Sequence, residues 1–120
     1  MISAFIRTMM LGAALLLTAL APQLFPPEVD GEWALHLGSA SSAPAYIAIN
    51  QDGEFLDGIY TFANSQSPLE GMLIQNELSF SFPTSSGMIR CIGEVEGPTM
   101  AGTCDFGGLS TSAFRGIRAN

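Results

Sequence analysis

His36 is the single histidine of this chain, and Cys91 and Cys104 are its only cysteines. That inventory leaves little room for catalysis. A Ser-His-Asp arrangement is defined by geometry rather than spacing, yet no Gly-x-Ser-x-Gly nucleophile elbow is present. The one acid on the same strand face as His36 is Glu32, four residues away, and His36 reads as a surface histidine. One imidazole and two cysteines expected to form a disulfide fall short of a zinc ligand set. Asp52, Glu54 and Asp57 cluster in the run DGEFLD. Calcium loops place acids at alternating positions and close on a distant glutamate. This run departs from that after its second acid; it reads as a solvated turn, with weak calcium binding as the alternative. Glu94 and Glu96 share a strand face and read as solubilising. The glycines precede strands and not a helix, so no phosphate cradle is expected. No catalytic, cofactor or metal-binding residue is assigned. The expectation is a protein that is not an enzyme and carries no cofactor.

The cysteines belong to the stretch that organises the rest, RCIGEVEGPTMAGTCDF at 90–106. It reads as a β-hairpin turning at Gly97 and Pro98, although proline is unusual at a second turn position. Glu96 then faces Thr99. Cys91 falls opposite Cys104 at a non-hydrogen-bonded pair, where Cα atoms come close enough for a disulfide. Closing a loop of about 14 residues stabilises a fold by about 3 kcal/mol on the chain-entropy estimate. With no Cys-x-x-Cys in the chain, the bond reads as a staple and not a redox site.

The compartment follows from the amino terminus. Residues 9–20, MMLGAALLLTAL, form an uncharged run of 12 behind Arg7. That is shorter than the roughly 20 residues that span a bilayer and typical of a secretory leader. Residues 1–21 are expected to be a signal peptide, cut after Ala21 or after Ala19, with an uncleaved anchor as the competing reading. No cysteine follows the run to accept a lipid. Beyond residue 21, eleven acids stand against Arg90, Arg115 and Arg118, a net charge of −8. Such a surface repels nucleic-acid phosphates and anionic lipid headgroups. The expectation is a periplasmic or secreted protein with no nucleic-acid partner and no membrane insertion once the leader is removed. Two cysteines in an exported chain fit an oxidising compartment.

Residues 22–30 hold Pro22, Pro26 and Pro27 and read as a stiff lead-in, with one domain over 31–120. From 33 to 37, Trp33, Leu35 and Leu37 alternate with polar or small residues, the pattern of a half-buried strand. Residues 38–44 and 63–68 are loops by composition. Asp52 and Gly53 mark a second hairpin, expected to set Ile49 opposite Leu56 and Ile47 opposite Gly58. Gln75 and Asn76 turn a third, whose second strand ELSFSF places Leu78, Phe80 and Phe82 inward. The second hairpin and the disulfide hairpin share an acid-Gly-x-x-apolar-x-Gly pattern that puts Gly58 and Gly102 mid-strand on the inner face, where glycine curves a sheet towards closure. Eight hairpin-linked strands favour an all-β, up-and-down antiparallel barrel, since closure removes exposed edges; a two-sheet sandwich is the alternative. Glu32, His36, Asp57, Ser79, Ser81 and Glu94 point outward, unlike the apolar band of an outer-membrane barrel.

Gly31-x-Trp33 at the head of the first strand, with a cation on the last, resembles the calycin pattern of lipocalins and their small bacterial relatives. The resemblance implies that Trp33 closes the bottom of the barrel under an arginine, here either Arg115 or Arg118. Periplasmic metalloprotease inhibitors of the Inh type are similar in the signal, the barrel, the Gly-x-Trp start and a single disulfide, although theirs lies near the start. The chain is much shorter than a typical lipocalin and lacks that family's carboxy-terminal helix. The leading expectation is a binding or interaction module whose partner, a protein or envelope component, meets a rim loop. A carrier of a small apolar ligand is the second, with Tyr60 and Phe80 as the interior residues that would touch it. Protease inhibition through the segment before Gly31 is the third. An eight-stranded interior is just wide enough to be filled by side chains or to hold one small ligand, and residues this bulky favour filling.

Overall fold

Apolar residues recur with a period of two along most of the chain. In the computed structural model, which describes residues 27–38 and 43–119, that period is realised as eight antiparallel strands. They are β1 (Gly31–Leu37), β2 (Ala45–Asp52), β3 (Phe55–Phe62), β4 (Ser65–Ile74), β5 (Glu77–Thr84), β6 (Gly87–Glu96), β7 (Thr99–Phe106) and β8 (Thr111–Arg118). Each strand pairs with the next, and β8 pairs back onto β1 to close a barrel. The sandwich alternative is thereby set aside. Among the described residues no helix is long and apolar enough to cross a membrane; the expected leader lies outside them.

The β6–β7 hairpin has the register its cysteines imply. Cys91 faces Cys104, Glu96 faces Thr99 and Ile89 faces Phe106. The disulfide is formed, with the two Cα atoms 4.0 Å apart, and both cysteines are fully inside the core. Gly97 takes a φ of 60°. Followed by a proline, whose ring fixes φ near the opposite sign, this is the II′ arrangement, which places glycine first. Pro98 is thus compatible with the turn.

The β2–β3 hairpin departs from expectation. Ile49 faces Gly58, Ile47 faces Tyr60, and Asp52 closes the turn against Phe55. The turn residues are therefore Gly53 and Glu54, with Gly53 at a φ of 64° in the same first-position role as Gly97. Gly58 gives a second reason for this register: a Cβ there would run into the Ala48 carbonyl oxygen. Only glycine lets β3 approach β2 so closely. The partners shift by two residues, so each side chain keeps its face. At Gly102 the same condition holds against the Ile92 carbonyl, opposite Gly93.

The β4 strand also starts earlier than its composition suggests. A tight turn at Ala63 and Asn64 replaces the expected loop over 63–68, and the polar residues from Ser65 onward pair with β3. On its other side β4 meets β5 only from the Glu70–Ser81 pair to the Ile74–Glu77 pair. Continued, that register would set Pro68 opposite Pro83, and neither has an N–H to give the ladder.

Inside, the barrel is filled. Trp33, Leu35, Ile47, Leu73 and Phe82 are inaccessible to solvent, and Leu69, Leu78, Phe80, Met100 and Phe114 nearly so. Tyr60 stacks on Phe82 with ring centroids 3.9 Å apart, and Phe80 meets the edge of Phe114 at 5.6 Å. Such aromatic contacts add to the burial term.

Candidate functional site

The two ends of the barrel differ in chemistry. At one end lie the turns at 53–54, 75–76 and 97–98, the start of β1 and the end of β8; at the other lie the remaining connections. The first end is closed. Trp33 faces Arg118 across the β1–β8 seam, and the guanidinium carbon sits 4.5 Å from the ring centroid. Arg118 donates through Nη1 to the Asp30 carbonyl at 2.8 Å and through Nη2 to the Glu28 carbonyl at 2.6 Å. The Trp33 indole N–H donates to the Val29 carbonyl at 2.9 Å. Val29 itself is fully buried, and its N–H donates to the Gln51 side-chain oxygen at 2.8 Å. Gly31 takes a φ of 121°, and a Cβ there would press on Arg118 at 3.3 Å.

Arg115, three residues earlier on β8, points outward, exposed and facing His36 and Ala101. The residue over Trp33 is Arg118. Strand alternation carries that information: Phe114, Gly116 and Arg118 share the inner face, and Arg115 does not. Neither the burial of Val29 in the core nor its bond to Gln51 is expected from the sequence. A proline-rich lead-in gave no sign that one valine in it would plug the barrel.

The second end is a mouth. A recess of about 250 Å³ is lined by Leu35, Leu37, Ala43, Ala45, Tyr60, Phe62, Ile89 and Phe106. Tyr60 is the one residue among these with a polar side chain, and burial pushes its phenol above the usual tyrosine range. Phe80 does not line the recess; it lies deeper, packed among Phe82 and Phe114. Around the mouth Phe62 is 45% exposed, Met88 42% and Leu109 89%. Of the eleven acids only Asp105 stands near the mouth turns, and it faces Arg90 across the β6–β7 ladder. Glu28, Asp30, Glu32, Asp52, Glu54, Glu77, Glu94 and Glu96 all sit towards the closed end.

The other chemistry-bearing residues do not converge. Among the described residues no group of three or more His, Cys, Asp or Glu side chains could hold a metal. Asp52 and Asp57 lie on separate strands on either side of the Glu54 turn. The Nδ1 of His36 is shielded from solvent without a hydrogen-bond partner among the described residues, and its cross-strand neighbour on β8 is a cation rather than a carboxylate.

A scan against protein-family models finds no match, and searches of curated proteins and of solved structures likewise find none. The closed eight-stranded, up-and-down antiparallel barrel is compatible with a calycin-like fold. The shared architecture carries no activity with it.

Proposed function

We propose that this protein is an exported, non-enzymatic binding module that engages its partner through the mouth of the barrel. One observation carries the reading: an apolar recess surrounded by exposed Phe62, Met88 and Leu109, at the end of an acidic molecule that is nearly free of acids. Grouped exposed apolar side chains on a soluble fold mark interaction sites. The recess, at about 250 Å³, is smaller than the roughly 300–1,000 Å³ of pockets that enclose a whole ligand. It suits one apolar side chain or a short apolar group presented by a protein or envelope component. The disulfide supports an oxidising, exported setting.

A small-ligand carrier is the second reading, favoured by the phenol of Tyr60 in an otherwise apolar recess. The Inh-type reading has less support, because residues 28–30 already bond to Trp33, Gln51 and Arg118 at the closed end. Native mass spectrometry of protein exported and purified without organic solvent separates the first two. The module predicts the bare mass of the oxidised chain. A reproducible adduct of small-molecule mass, lost on filling the recess with Ala45→Phe, would replace the module with the carrier.

A further inference from the structure

The side wall of the barrel holds a second apolar surface, separate from the mouth. Ladder pairing places Phe55, Met72, Ser79, Ile92 and Thr103 in one outward row across β3 to β7. Phe55 is 65% exposed and Ile92 66%, and Ile74, diagonal to them, is 46% exposed. A groove of about 480 Å³ follows this row from Met72 to Thr103, lined also by Ile74, Ser79 and Ile92 and bordered by Glu77 and Glu94; Phe55 stands beside it, opposite Met72.

The acids beside the row stand as like-charge pairs. Asp57 faces Glu70 across β3–β4, on the mouth side of the apolar row. Glu77 faces Glu94 across β5–β6, on the closed-end side. Like charges directly opposite one another destabilise a sheet. Their remaining ladder neighbours are Asn50, Ser81, Ile74 and Ala101, none of them cationic. On β3 to β7 Arg90 is the one cation, opposite Ser81 and Asp105; Arg115 of β8 stands one strand beyond them, opposite Ala101.

We infer that this groove docks a cationic amphipathic helix of a partner polypeptide, its apolar stripe on Phe55, Met72 and Ile92 and its lysines or arginines on the two acid pairs. The dimensions agree. Three strand spacings separate Phe55 from Ile92, about 14 Å, the rise of about nine or ten helical residues. The acid pairs stand two residues along the strands from the apolar row, about 7 Å to either side, which straddles a helix about 10–12 Å wide. A second copy of the chain fits poorly, because it would bring another net charge of −7 against the same acids. The proposal is independent of the mouth reading and does not rest on it.

The test uses the exported oxidised chain and a synthetic 18-residue leucine–lysine peptide with leucines at helical spacing on one face, followed by fluorescence anisotropy. Saturable 1:1 binding is expected. Affinity should drop tenfold or more for Phe55→Ser and for Ile92→Ser, and the Glu77→Gln, Glu94→Gln double variant should bind more weakly with a flatter salt dependence. Leu109→Ser at the mouth should bind as the parent does. On the peptide side, the same composition scrambled to remove the stripe should bind at least tenfold more weakly, as should a peptide with glutamate for lysine. The peptide controls do not depend on how any variant folds. Equal affinity for the scrambled peptide, undiminished binding by Ile92→Ser, or no saturable binding would overturn the proposal. So would a dimer of the parent chain that Ile92→Ser dissolves, since a second copy would then be the occupant.

Discussion

Replacing Arg118 by methionine keeps a long side chain over the closed end and removes its charge and donors. The parent guanidinium lies over Trp33 and donates to two carbonyls of the lead-in. A cation over an indole contributes about 0.5–1 kcal/mol at a partly exposed site. Each charge-assisted hydrogen bond to a backbone carbonyl contributes about 1 kcal/mol once solvent access is allowed for. Loss of the clamp on residues 28–30 also loosens the seat of Val29, which is fully buried. The combined cost is about 2–4 kcal/mol, and for a domain of this size each kcal/mol lowers Tm by about 4–8 °C. Arg115→Met, three residues away on the outer face, should change stability by about 0.5 kcal/mol or less. Urea unfolding reads both, with Trp33, the only tryptophan, as one probe and far-ultraviolet circular dichroism as another that the local change at the indole does not affect. If the two variants are equally stable, Arg118 is not what closes the barrel.

Other consequences follow from the interior. Gly58→Ala must push β3 away from the Ala48 carbonyl, at a cost of about 1–3 kcal/mol, whereas Gln66→Ala, at an exposed position of β4, should change stability by about 0.5 kcal/mol or less; equal unfolding midpoints would contradict the close approach. Replacing Cys91 and Cys104 together by alanine should lower stability by about 3 kcal/mol on the chain-entropy estimate, and thiol titration of the parent under denaturant should find no free thiol. Tyr60 gives a pH dependence. Its folded phenol ionises above the unfolded one, so its contribution is fully present below about pH 10 and is lost as pH rises through the folded value. Tyr60→Phe should therefore flatten the alkaline loss of stability, and an unchanged alkaline limb would show that the phenol is not protected by burial.

Much of this architecture is legible in the sequence because period-two alternation survives small errors of register. The β2–β3 hairpin shows it: its partners lie two residues from the Asp–Gly reading, yet Ile47, Ile49, Leu56 and Tyr60 all remain inside. The β6–β7 hairpin is legible to the residue, since two cysteines can bond only at one register. The start of β4 is not, because Ser65, Gln66 and Ser67 join the sheet through backbone hydrogen bonds that leave no mark on composition. The lead-in hid Val29 for a related reason. Its burial depends on Gln51, Trp33 and Arg118 arriving from three strands, and no local pattern announces that. The choice of Arg118 over Arg115 was available from alternation on β8, read back from Phe114. The recess at the mouth was not, because it is space left over after Leu69, Leu73 and Phe114 have filled the middle of the barrel.

The central claim is that the mouth, and not the acidic end, is the end of the barrel that binds. Its most direct test places a photo-activated cross-linking residue at position 62, at position 109 or, at the closed end on β1, at position 32 in separate exported chains and irradiates intact cells. The account predicts an adduct of the same discrete mass from positions 62 and 109 and none from position 32. Adducts from position 32 alone, or the same yield from all three positions, would contradict it.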